Sequence, residues 1–139
     1  MTPLIYHNPD CGTSRNVLAV LEAAGYQPTV IEYLATGWTR ELLETLLTAA
    51  NLTPRQALRE TRSPAGELGL LDDGVSDETI LAAMLKEPAL VNRPFVVTPK
   101  GVKLCRPSEL VLDLIDRWPE GPYAKEDGSL MIDAGGRRV

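Results

Sequence analysis

Cys11 is the residue whose type and setting point most directly to covalent chemistry. It directly follows a short apolar strand pattern and opens a helical one. A helix N-terminus presents unpaired amide N–H groups and a partial positive charge, which together hold a cysteine toward its nucleophilic thiolate. The same free amides of Gly12, Thr13 and Ser14 can grip an oxyanion. His7 at the strand end and Arg15 in the first helical turn add positive potential nearby, while Asp10 opposes it. Such a cysteine has two readings, a reactive nucleophile or a small buried residue at a turn. The polar neighbours of Cys11 favour the first.

Spacing excludes several familiar sites. A dithiol oxidoreductase carries its second cysteine three residues on, where this chain has Ser14. Cys11 therefore needs a thiol from outside to resolve a mixed disulfide, unless Cys105 lies near it. A cysteine-phosphatase loop places arginine six residues after the cysteine, where this chain has Val17. A closed zinc site takes four ligands, and His7, Cys11 and the distant Cys105 supply at most three.

Three arginines complete the candidate chemistry. Arg93 lies between Asn92 and Pro94 just before a strand, and Arg106 between Cys105 and Pro107 just after one. Arg59 closes a helix expected from Thr53 onward, with Arg55 one turn earlier on the same face. Taken singly, arginines are mostly solvated or paired at the surface. Gathered around one cysteine, they would form forks suited to tetrahedral oxyanions such as phosphate, sulfate or arsenate.

The elements that must position these residues are legible from periodicity. Pro3 to His7 reads as a strand stopped by Asn8-Pro9, and the next helix buries Val17, Leu18, Leu21 and Ala24 before Gly25 ends it. Thr29 to Tyr33 reads as a second strand, parallel to the first. Thr39 caps a helix carrying Leu42, Leu43, Leu46 and Leu47, and Thr53-Pro54-Arg55-Gln56 is a capping box that predicts another. Ser76 caps a helix with Ile80, Leu81, Met84 and Leu85 inside, ended by Pro88. Phe95 to Thr98 and Val102 to Cys105 form a hairpin, and Pro107 opens a last helix with Leu110, Val111, Leu114 and Ile115 inside.

The order is β-α-β, a helical insertion, then β-β-α, which is that of a thioredoxin-like α/β fold. The expectation is a single domain over residues 1–139: a core of about 1–35 and 89–118, an insertion of about 36–88, and a tail of about 119–139 laid over the surface. In that order, Arg93-Pro94 falls where thioredoxin-like folds place a cis-proline beside the reactive cysteine.

Composition narrows the partners. Lys and Arg total 14 against 19 Asp and Glu, a net charge of −5. That balance argues against nucleic acid or an anionic membrane as the main partner. No apolar run approaches the ~20 residues that span a bilayer, and the N-terminus lacks the features of a secretory signal. A cytoplasmic protein with reduced cysteines is expected.

The stretch His7-Asn8-Pro9-Asp10-Cys11-Gly12-Thr13-Ser14-Arg15-Asn16 resembles the signature of the glutaredoxin-coupled arsenate reductases of the ArsC family. The resemblance extends through Ala57-Leu58-Arg59, Glu67-Leu68-Gly69-Leu70, Asn92-Arg93-Pro94, Val96-Val97-Thr98-Pro99, Leu104-Cys105-Arg106-Pro107-Ser108-Glu109 and Lys125-Glu126-Asp127-Gly128. It implies Cys11 as nucleophile, with Arg59, Arg93 and Arg106 binding the oxyanion. It further implies that His7 lowers the Cys11 pKa and that Ser14 hydrogen-bonds the sulfur. Arsenate would be the substrate, glutathione and glutaredoxin the external reductants, and no metal, flavin or nucleotide a bound cofactor. Arg59, Arg93 and Arg106 together are specific to the reductase branch, whereas Gly135-Gly136 and the arginines after them fit the family's C-terminal helix poorly. Two other readings share the fold: a transcriptional regulator of the Spx type that binds RNA polymerase, and an adaptor in which Cys11 is vestigial. The regulator usually carries the second cysteine that Ser14 replaces, and lacks the arginine trio.

Overall fold

A computed structural model describes all residues, 1–139. The chain divides into two units, one of Met1–Glu32 with Arg93–Val139 and the other of Tyr33–Asn92. The first unit is built on a four-stranded mixed sheet. β1 (Leu4–His7) is followed by α1 (Gly12–Ala23) and then by β2 (Thr29–Glu32), which pairs parallel to β1. A parallel neighbour requires a crossover, and α1 supplies it. Ile5, Tyr6 and His7 are all buried, as a strand covered on both faces demands, whereas Thr29, Val30 and Glu32 of the edge strand are exposed.

α1 ends as Gly25 predicts. Gly25 has φ 92°, its N–H donates to the Glu22 carbonyl at 3.0 Å, and the Tyr26 N–H donates to the Leu21 carbonyl at 3.0 Å. This pair of reversed bonds satisfies the last helical carbonyls, and glycine adopts the left-handed conformation they need without steric cost.

The second unit holds three α-helices and a short 3-10 helix at Pro88–Leu90. α2 (Tyr33–Thr36) is short, α3 (Arg40–Ala49) starts where the Thr39 side chain accepts from the Leu42 N–H, and α4 (Asp77–Lys86) starts where Ser76 accepts from the Thr79 N–H. The chain then re-enters the first unit as β3 (Phe95–Thr98) and β4 (Gly101–Leu104). The sheet order is β2-β1-β3-β4, with β3 antiparallel to both neighbours. A 3-10 helix at Ser108–Leu114 follows, and the segment after it forms a small antiparallel pair, β5 (Tyr123–Ala124) and β6 (Leu130–Ile132).

The apolar cluster of the first unit includes Ile5 of β1, Val17, Val20 and Leu21 of α1, Val96 of β3, Leu112 and Leu114 of the 3-10 helix, and Met131 and Ile132 of β6. Each such side chain contributes roughly 1.5–3 kcal/mol over an exposed position, and together they fix where α1 begins.

Local expectations fail in four places. No helix follows Thr53, although the capping box closes: the Thr53 N–H donates to Gln56 Oε1 at 2.9 Å and the Gln56 N–H to Thr53 Oγ1 at 3.2 Å. The chain instead pairs with 90–92, where the Arg59 N–H donates to the Leu90 carbonyl at 2.7 Å and the Asn92 N–H to the Ala57 carbonyl at 2.8 Å. That pairing buries Ala57 and Leu58, and tertiary burial outweighs helix propensity. The strand expected to reach Tyr33 stops at Glu32, and Tyr33 opens α2 with its ring stacked on Trp38, centroids 5.0 Å apart. The helix expected after Pro107 is 3-10 rather than α, with Val111 and Leu114 aligned by its three-residue turn. Finally, the C-terminal segment does not only cover the surface, because Met131 and Ile132 are fully buried.

Candidate active site

The loop between β1 and α1 wraps one cysteine. The Cys11 N–H donates to the Asn8 carbonyl at 3.0 Å, and the Asn8 side-chain oxygen accepts from the Asp10 N–H at 2.9 Å. The Ser14 hydroxyl accepts from the Asn8 N–H at 3.1 Å and sits 2.7 Å from His7 Nδ1. Cys11 is thereby fixed as the N-cap residue of α1, in extended conformation at φ −102° and ψ 121°. The first intrahelical bond runs from the Arg15 N–H to the Cys11 carbonyl at 2.9 Å. The amides of Gly12, Thr13 and Ser14 precede it and have no partner inside the helix.

Three donors converge on the sulfur, two of them from sequence-distant places. Arg106, which follows β4, directs Nη1 to Cys11 Sγ at 3.6 Å and also donates to the Arg93 carbonyl at 3.0 Å. The Arg93 guanidinium and the Ser14 backbone N–H also hydrogen-bond the sulfur. The Arg93-Pro94 and Arg106-Pro107 bonds are both cis. Burial pushes the Cys11 thiol up, but the Ser14 amide, Arg93 and Arg106 outweigh it and bring the pKa down to about 7. Alkylation of Cys11 by iodoacetamide should therefore rise with pH through a midpoint near 7. Below that midpoint the sulfur is protonated and slow, and a measured midpoint near the free-thiol value of about 8.5 would show that the donors do not act on it.

The other candidates separate by environment. Burial lowers the His7 pKa, more than Glu32 and Glu22 raise it, so the imidazole is neutral at pH 7 and touches the loop through the Ser14 hydroxyl. Ser14 meets the sulfur with its amide, while its hydroxyl is engaged by Asn8 and His7. Arg15 is turned to Glu126 and to the Pro9 carbonyl. Arg59 belongs to the second unit, where its carbonyl accepts from the Ser63 hydroxyl. Cys105 is fully buried, and burial pushes its thiol up to about 12. Asn8 was not singled out by sequence reasoning, although it is buried and ties the loop at three points. The signal was its place in the Asn8-Pro9 turn. No helix is long and apolar enough to cross a membrane, and no group of three His, Cys, Asp or Glu is placed to hold a metal ion.

The ArsC family model matches residues 6–114, which includes Cys11 and all three candidate arginines. This chain belongs to the ArsC family. Among its ArsC relatives, the arsenate reductase ArsI2 of Synechocystis sp. is 66% identical over 136 residues, covering 98% of this chain and 97% of the relative. An arsenate reductase of Escherichia coli K12 is 45% identical, covering 97% of this chain and 96% of its own length. The solved structure of an arsenate reductase from Vibrio cholerae superposes with a TM-score of 0.77 at 40% identity, over 83% of this chain and 98% of that one. The thioredoxin-like α/β fold expected from the element order is the fold of these ArsC neighbours.

Proposed function

We propose that this ArsC family member is an arsenate reductase that converts arsenate to arsenite through an adduct on the Cys11 sulfur. The observation that carries the reading is the convergence of Arg93 and Arg106 on that sulfur. The same donors that hold a thiolate suit an incoming oxyanion: forked guanidinium groups match pairs of oxygens on a tetrahedral anion, and the free amides of Gly12 and Thr13 supply further donors. A regulator or a vestigial adaptor gives no reason for two guanidinium groups on one cysteine. Arg59 is retained as a third oxyanion ligand on the sequence pattern alone.

The chemistry follows from these groups. The Cys11 thiolate attacks arsenic, forms a sulfur–arsenic bond and expels one oxygen as hydroxide or water. Arg93 and Arg106 offset the charge of the remaining oxygens as the bond forms. Reduction of arsenic from the pentavalent to the trivalent state takes two electrons, which two thiols supply as they are oxidised to a disulfide. With Ser14 in place of a second local cysteine and Cys105 buried as a thiol, at least one of those thiols comes from outside. Glutathione and glutaredoxin are the external reductants of this reading, and the cytoplasm is its compartment.

Arsenate-dependent NADPH oxidation, coupled through glutathione reductase, tests both levels. Turnover is expected with glutathione plus glutaredoxin and none with thioredoxin alone. Efficient turnover with thioredoxin and no glutathione would overturn the reductant assignment. Absence of arsenate reduction with either system would overturn the enzyme reading.

A further inference from the structure

The mechanism leaves one charged pair beside the nucleophile unused. Glu126 lies in the turn between β5 and β6, yet its Oε2 accepts from Arg15 Nε at 2.9 Å and its Oε1 from Arg15 Nη2 at 3.1 Å. Both oxygens of one carboxylate thus meet one guanidinium fork. The remaining nitrogen, Arg15 Nη1, donates to the Pro9 carbonyl at 2.9 Å, two residues before Cys11. Asn16 of α1 accepts from the Glu126 N–H through Oδ1 at 3.0 Å, which ties the hairpin turn to the helix. Glu126 Oε1 lies 4.0 Å from where a Cβ on Gly12 would stand, so the carboxylate sits against the first residue of α1.

That location is unfavourable for a lone carboxylate, which would oppose both a thiolate and an incoming anion. It is equally consequential for Arg15: without Glu126, the side chain would be a loose guanidinium close to the anion's path. Paired, the two charges offset each other, and the fork aims Nη1 at the loop. We propose that Glu126 is a positioning residue for Cys11, holding Arg15 so that it braces the Pro9 carbonyl while its charge stays balanced beside the helix N-terminus. Arg93 and Arg106 face the sulfur from the late strands, and Asp10 and Arg15 flank it from the loop and α1. Glu126 is the carboxylate that the C-terminal hairpin adds to this set.

The proposal rests on Cys11 being the nucleophile. Both side chains of the pair are nearly half exposed, at 43% and 49%. Exposed ion pairs add little to fold stability, so the consequence of losing this one is expected at Cys11 rather than in unfolding. The test measures the midpoint of iodoacetamide alkylation of Cys11 in the full-length wild type, Glu126→Gln, Arg15→Met and the double variant, with the thermal midpoint and arsenate kcat alongside. Glu126→Gln should lower the alkylation midpoint by a few tenths of a pH unit and Arg15→Met should raise it similarly, the size of one exposed unit charge acting through solvent. The double variant should return close to wild type. Each single variant should lose several-fold in kcat with an almost unchanged thermal midpoint, as the Pro9 brace loosens. Midpoint shifts of the same sign in both single variants, or none in either, would overturn the proposal. So would an unchanged kcat in Glu126→Gln, because two nearby charges move the thiol in opposite directions whether or not the pair holds the loop. A wild-type midpoint at the free-thiol value would strike the nucleophile reading instead, so the two failures are distinguishable.

Discussion

Cys11→Ser should abolish arsenate turnover and leave the fold intact, whereas Cys105→Ala should keep most of the activity. A serine hydroxyl stays protonated where the Cys11 thiol ionises near 7, so none of the donors around it can make it a comparable nucleophile. Cys105 differs in every relevant respect. It is fully buried in the apolar cluster of the first unit, and its thiol is pushed up to about 12. Truncating it removes one buried sulfur and costs some stability, so the assay belongs well below the variant's thermal midpoint. Circular dichroism separates the two kinds of loss. A Cys105→Ala protein that is folded but as inactive as Cys11→Ser would replace the external-thiol mechanism with an internal disulfide relay.

Arg106→Lys and Arg93→Lys should each lower kcat/KM for arsenate by about 10- to 150-fold, the equivalent of one charge-assisted hydrogen bond of roughly 1.5–3 kcal/mol. Lysine keeps the charge but lacks the planar fork that meets two oxygens of one anion. Arg106 should be the more sensitive, because the nitrogen that meets Cys11 Sγ also donates to the Arg93 carbonyl at 3.0 Å. Its loss removes one ligand and loosens the backbone that carries the other. The double variant should therefore fall short of the product of the two single losses, as residues in one network are not additive. Arg106→Lys should also move the alkylation midpoint of Cys11 upward. Unchanged kinetics in both variants would mean that the guanidinium groups hold the thiolate at rest and do not bind the substrate.

Local rules carried much of the fold. The strand pattern at Leu4–His7, the caps at Thr39 and Ser76, the glycine after α1 and the hairpin around Pro99-Lys100 are each set by residues within a few positions of one another, so they are legible without tertiary information. The placement of Cys11 near the start of α1 is of the same kind, because a strand that ends at Asn8-Pro9 before a helical stripe leaves only Asp10 and Cys11 ahead of the first turn. The resemblance of 7–16 and of the arginine motifs to the ArsC family extended this local reading to a chemistry.

The failures share the opposite cause. The Thr53 capping box forms both its bonds, but backbone pairing with 90–92 takes the chain away from a helix, and no local preference encodes a partner more than thirty residues on. Met131 and Ile132 lie in a polar, glycine-rich stretch that reads as surface, and only folding brings them into the apolar cluster that buries them.

At the site, sequence by itself determined which residues can do the chemistry: a thiol at a helix start, amides ahead of the first intrahelical bond, and guanidinium forks held beside prolines. Tertiary structure decided which atoms act. It gave the sulfur contact of Ser14 to its amide and engaged the hydroxyl elsewhere, left His7 neutral by burial, turned Arg15 onto Glu126 and brought Arg93 and Arg106 to the sulfur. The physical reason is range. Propensity and capping are settled within a turn or a strand, whereas a pKa and an ion pair depend on every charge and dipole that folding brings within a few ångströms.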